Sequence, residues 1–260
     1  MPLKLIDSVN SILELVKEQT GKDIEFIEKS DLPVQASIEI AKKNTDTHHL
    51  LYRKSFDDQI NYIIANQCGH ILRIFGTSED RRFIPVANRR TMMSYVMQME
   101  DELHRLASVF GQEKIKQMLF LWYEGVVFQV TKMPPDIMID KWLYDDYPEL
   151  RQIQLTSLRR QRQIAILSLS EEMMKITPFR IYRASNIMNY AFFKILGDHF
   201  GLDFVTPYHK SIFIMDGSDL ARHTERDYVN SLEGDRIMID EWARRLCLTG
   251  WFEWKHIEDL

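Results

Sequence analysis

The residues that could do chemistry lie close together. Asn66-Gln67-Cys68-Gly69-His70 interrupts an apolar run, with Ile63-Ile64-Ala65 before it and Ile71-Leu72 after it. Positions 66 and 70 are four apart, so on a helix they project from one face, one turn above the other. Two histidines at that spacing, in the pattern His-Glu-x-x-His, share a zinc ion, and the glutamate acts as general base. Exchanging Asn66 for His and Gln67 for Glu would restore that pattern. As the chain stands, both are neutral amides. An Asn oxygen is harder and less basic than imidazole and is a poor zinc ligand. A carboxamide has no usable pKa, so Gln67 cannot take a proton from a metal-bound water. Losing a general base typically costs about 10²–10⁴ in rate. The expectation is a chain that does not hydrolyse peptides by the zinc route. No cofactor is expected with these residues, and zinc only if the site works.

The elements that must position this stretch can be read from its surroundings. Leu5, Ile6, Val9, Ile12, Leu13 and Val16 have helical spacing, and Gly21 is placed to end that helix. Ile24–Ile27, Gln35–Lys42 and Thr47–Tyr52 read as short strands, with a turn at Asn44-Thr45-Asp46. The strand ending at Tyr52 is expected at the edge of this small sheet. Ser55 then reads as an N-cap, with Asp57 and Asp58 in the first turn, for a helix from about Phe56 to Phe75 that carries the motif. Beyond Pro85 the chain is mostly helical. Candidate helices are Asn88–Phe110, Gln112–Val130, Ile137–Tyr144, Pro148–Lys175 and Thr177–Phe200, then segments around Ser218–Asn230 and Asp235–Leu248. Tyr208–Met215 reads as one further strand. Met133-Pro134-Pro135-Asp136 marks a break. The expected fold class is α+β, with a small-sheet domain over residues 1–132 and a mainly helical domain over 133–260 packed against it.

Composition narrows the function classes. At 260 residues, 45% of them hydrophobic, the chain can bury a full core. A net charge of −5 argues against general nucleic-acid binding, which needs clustered positive charge. Two cysteines, Cys68 and Cys247, make no disulfide framework and fit a reducing compartment. Asp7 and Asn10 interrupt any signal-peptide core, and the apolar run Ile187–Leu196 is too short to span a bilayer. A cytoplasmic protein with no membrane association is expected.

Taken together, His48-His49-Leu50-Leu51-Tyr52, Ser55-Phe56-Asp57-Asp58 and Tyr62-Ile63-Ile64-Ala65 leading into Gly69-His70-Ile71-Leu72 resemble the ImmA/IrrE family of zincin metallo-endopeptidases. The resemblance covers roughly residues 5 to 110. It implies a zincin-like N-terminal part, a bacterial or prophage setting in regulation or defence, and a protein partner or protein substrate. It also implies a third metal ligand, a carboxylate from the next helix. Glu100 is the nearest candidate and Glu102 the reserve; Glu100 and His104 are four apart. The vestigial metal positions are then Asn66, His70 and Glu100, and Gln67 stands where the base belongs. The favoured reading is a pseudoprotease that acts by binding protein. The alternatives are an active zinc endopeptidase represented by an inert variant, and a helical scaffold whose motif is accidental.

Other constellations carry less. His48 and His49 are adjacent strand residues and point to opposite faces, so at most one faces any site. Cys68 and His70 diverge on a helix and cannot form a nucleophile–base pair. Arg151, Arg159, Arg160 and Arg162 form one basic cluster, and Arg81, Arg82, Arg89 and Arg90 another. Trp251-Phe252-Glu253-Trp254 reads as a tail folded back on the core.

Overall fold

The computed structural model describes residues 3–32, 34–53 and 59–260. Ser55, Asp57 and Asp58, read above as a helix start, lie outside the described residues. The chain is mixed α+β with most of its bulk helical. It forms two compact units, each discontinuous: residues 1–83, 138–160 and 256–260, and residues 84–137 and 161–255. This division is not a single cut at 132/133.

The first unit opens with α1 (Asp7–Thr20), β1 (Asp23–Glu28), β2 (Ala36–Glu39), β3 (Thr47–Tyr52) and α2 (Ile60–Phe75). Val9, Ile12 and Val16 form the buried stripe of α1, and Gly21 closes it in the left-handed conformation at φ 68°. The sheet order is β1-β3-β2. β3 pairs parallel with β1, placing His49 opposite Glu25, and antiparallel with β2, placing His49 opposite Glu39. The strand ending at Tyr52 is therefore central, not at the edge. Both of its hydrogen-bonding sides are taken, which matches its burial, since His48, Leu50, Leu51 and Tyr52 are all buried. α2 lies among α1, the sheet and the later helical segment 138–146. Its core partners include Val9, Ile12, Leu50, Ile139 and Leu143.

Next come β4 (Phe83–Val86), α3 (Arg89–Gln98), α4 (Glu100–Phe110) and α5 (Gln112–Asp146). The single helix expected over 88–110 is two. Met99, 1% exposed, leaves helical geometry, and Glu100, Asp101 and Glu102 start a new first turn where negative charge is favoured. Asn88 caps α3 through a reciprocal box with Thr91. The break expected at Pro134-Pro135 is absent, because α5 runs through both prolines. An interior proline costs a helix about 3 kcal/mol or more. Burial on both sides offsets this, with Val126, Val127 and Val130 before the pair and Ile137, Ile139 and Leu143 after it.

The rest is α6 (Arg151–Leu167), α7 (Glu171–Ile176), α8 (Phe179–Phe200), α9 (Ile214–Asp227), α10 (Leu232–Arg245) and β5 (Glu253–His256), which pairs with β4. The long helix expected over 148–175 is divided by a turn at 168–170, where Ser170 caps α7 by accepting from the Met173 N–H. The strand expected over 208–215 is a 3-10 turn at Thr206–Tyr208 followed by the start of α9. Tyr208 and Phe213 are buried but Ile212 and Met215 are exposed, so the apolar run has no face to give a sheet. The helical segment expected around 218–230 starts four residues earlier, at Ile214, and ends at Asp227. Trp251 is fully buried, with its indole N–H on Gln98 Oε1. Among the described residues no helix is long and apolar enough to cross a membrane.

Candidate functional site

α2 is buried on almost every side. Ile60 through Gly69 are all buried, and His70 is half-buried. Three neighbours hold it. On the α1 side, Asn61 Oδ1 accepts from the Ile6 N–H at 3.0 Å and Gln19 Nε2 donates to the Leu72 carbonyl at 2.7 Å. On the sheet side, the His48 ring meets Phe75 edge-on at 5.3 Å. On the α5 side, a Cβ at position 69 would stand 2.6 Å from Ile139 Cγ2, so glycine permits the approach.

The predicted motif residues fall as follows. Asn66 and Gln67 are each 7% exposed. Gln67 Nε2 donates to Asn66 Oδ1 at 3.1 Å. The amide oxygen that would face a cation is thus engaged by its neighbour. Tyr62, Asn66 and His70 recur every four residues and share one stripe of α2. The structure brings Asn66, Gln67 and His70 together on this one helix. Glu100, exposed at the start of α4, and His104, exposed further along it, belong to the second unit. Among the described residues no group of three or more His, Cys, Asp or Glu side chains is gathered as a cation would need. One imidazole and two neutral amides, one oxygen already accepting, do not fit a zinc ion. These residues support no reaction step through a metal.

Sequence reasoning missed the polar group beside this stripe. Tyr62 OH donates to Asp140 Oδ1 at 2.8 Å, and Gln154 Nε2 donates to Asp140 Oδ1 at 3.1 Å and to the Asp140 carbonyl at 2.8 Å. Tyr62, Asp140 and Gln154 are 3%, 1% and 0% exposed. Gln154 Oε1 and Ser157 Oγ, one turn apart on α6, are buried without a hydrogen-bond partner among the described residues. A signal existed. Asp140 is three residues from both Ile137 and Leu143, and Gln154 is four from both Leu150 and Leu158, so each polar side chain interrupts an apolar helical stripe.

The remaining candidates separate cleanly. His48 is fully buried, its Nδ1 accepts from the Ala41 N–H at 3.0 Å, and burial holds its pKa down to about 4. His49 faces outward between Glu39, 3.4 Å away, and Glu25, 3.5 Å away. Cys68 is fully buried, and burial pushes its thiol up to about 12, so it is no nucleophile. Comparison with known protein families, with curated proteins and with solved structures finds no match to this chain.

Proposed function

We propose that the chain is a zincin-like, metallopeptidase-related protein whose zinc site is disabled, and that it works by binding a protein rather than cleaving one. The observation that carries this reading is the Gln67–Asn66 hydrogen bond. Gln67, at the position that would supply a base, instead donates to Asn66, at the position that would supply a ligand, inside a buried helix. Two further features support it. Asn66 and His70 retain the one-turn spacing of a ligand pair, and α2 packs beside a three-stranded sheet. A partner strand could add at β1 or β2, the outer strands of that sheet, and not at β3. The setting in bacterial or prophage regulation or defence rests on the family resemblance alone.

The double substitution Asn66→His with Gln67→Glu tests the reading. Zinc binding should appear, because an imidazole pair at i and i+4 is restored, while peptide hydrolysis should not. Gain of hydrolysis as well would favour a silenced enzyme. Gain of neither would remove the zincin reading.

A further inference from the structure

The second unit exposes an apolar surface around a hollow of about 230 Å³ between α5 and α8. Trp122 and Val126 of α5 and Ile181 and Tyr182 of α8 line the hollow, and no charged side chain among the described residues does. Exposed apolar side chains border it. Leu121 and Met173 stand on the lining, and Leu167 precedes the lining residue Ser168 at the end of α6. Phe128 shares the α5 face of Leu121, two turns further on. Leu121 and Leu167 are 61% and 71% exposed. At roughly 100 Å² each, these four side chains present about 400 Å² of apolar surface, a patch of the size that marks an interaction site. Methionine suits such a place, because its thioether chain adapts to what it meets. Carboxylates stand among these groups. Glu124 lies between Leu121 and Phe128 on the same face of α5, and Glu171 and Glu172 precede Met173; all three are exposed. Glu171 pairs with Lys175 at 3.8 Å, whereas Glu124 and Glu172 make no ion pair among the described residues.

We infer that this surface docks an amphipathic helix of a partner protein, its apolar anchors towards the hollow and basic residues along its edge meeting Glu124 and Glu172. Area decides between occupants. About 400 Å² is half of what each side of a stable dimer buries. It suits a single helix laid in a groove, with anchors at i, i+3, i+4 and i+7. A cavity of about 150 Å³ accommodates a benzene ring, so the hollow seats one large anchor side chain. Charge points the same way. A second copy meeting the surface through α5 would bring two Glu124 carboxylates together. A basic edge instead supplies the cations that Glu124 and Glu172 lack among the described residues. This inference concerns the second unit alone. It does not rest on the motif of α2 and stands if that reading fails.

The probe is a helical peptide of leucine and lysine, about four turns long, with leucines at i, i+3, i+4 and i+7. It is labelled with fluorescein and titrated with the full-length chain, read by anisotropy. A second peptide carries glutamate in place of every lysine. The lysine peptide should bind saturably at one site, about ten-fold tighter than the glutamate peptide. Leu121→Gln with Leu167→Gln changes two exposed positions, so it should leave the melting temperature in place and weaken the lysine peptide about ten-fold. Glu124→Gln with Glu172→Gln should weaken the lysine peptide about three-fold and narrow the gap between the peptides. Met93→Gln with Met97→Gln, an exposed apolar pair on α3, should bind as the natural chain does. No saturable binding overturns the inference. So does equal binding by the natural chain and Leu121→Gln/Leu167→Gln, or loss of binding in the α3 variant. Equal affinity for both peptides overturns the basic edge. A dimer in sedimentation that Leu121→Gln/Leu167→Gln dissociates assigns the surface to a second copy and overturns the helix as its occupant.

Discussion

Gln67 and Asn66 are hydrogen-bonded to each other at 3.1 Å, side chain to side chain, within a helix that leaves each of them 7% exposed. Adjacent helical residues rarely face one another, so this pairing costs both side chains rotamer freedom. It meets one donor of the Gln67 amide, and a buried donor left unmet costs about 1–3 kcal/mol. The same bond takes up one lone pair of the Asn66 amide oxygen.

Gly69 and Ile139 set how closely α2 meets α5. Replacing Gly69 with alanine places a methyl 2.6 Å from Ile139 Cγ2, on a β-branched side chain with little freedom to yield. The Gly69→Ala variant should lose about 1–3 kcal/mol in urea unfolding. Adding Ile139→Ala should cost less than the sum of the two single changes. Strict additivity would show that the contact is relaxed in solution.

Tyr62→Phe removes a hydroxyl that donates to the buried Asp140 carboxylate. The expected loss is about 1–3 kcal/mol, from a buried carboxyl group short of one donor. A double-mutant cycle with Asp140→Asn should return a coupling of the same order, and no coupling would mean the two groups do not pair.

His48 gives the fold a pH dependence of definite sign. Protonating it requires a proton on Nδ1, which now accepts from the Ala41 N–H, and burial opposes the charge. Its folded pKa of about 4 lies below its ordinary value. The unfolded chain therefore takes up the proton first as pH falls. Stability should decline as pH drops from about 6.5 towards about 4 and then level off, with at most about 3 kcal/mol from this group. His48→Asn keeps an acceptor near the Nδ1 position and does not titrate, so it should lose that part of the slope. An unchanged slope would assign the dependence to other groups.

The two thiols should differ sharply. Cys247 is exposed and Cys68 is fully buried with its thiol pKa pushed up to about 12. An aromatic disulfide reagent should titrate one thiol promptly and the second only after denaturant is added. Two prompt thiols would mean that α2 opens readily.

Much of the first unit was legible in the sequence because local rules and packing agree there. The α1 stripe at Val9, Ile12 and Val16 follows helical periodicity, Gly21 stops it, and the three strands lie on the short runs read as strands. The central place of β3 was not legible. Strand order depends on pairing across the sheet, and nothing in Thr47–Tyr52 encodes which neighbours complete it. The continuity of α5 failed for the opposite reason. Pro134-Pro135 is a strong local signal, yet burial of Val130 and Ile137 on either side overrides it. At the candidate site, the spacing of Asn66 and His70 was readable. The carboxylate that the Tyr62 side chain reaches was not, because Asp140 lies 78 residues further along the chain.

If positions 66 and 70 are a metal site in which Asn66 has replaced one of the two helix ligands, the natural chain must be unable to retain zinc. Zinc content decides this, measured by mass spectrometry on the natural chain and the Asn66→His/Gln67→Glu variant, both purified from zinc-supplemented culture. The expected result is far less than one zinc per natural chain and close to one per double variant. One zinc per natural chain, held through dialysis and released by a His70→Ala substitution, would contradict the disabled-site reading.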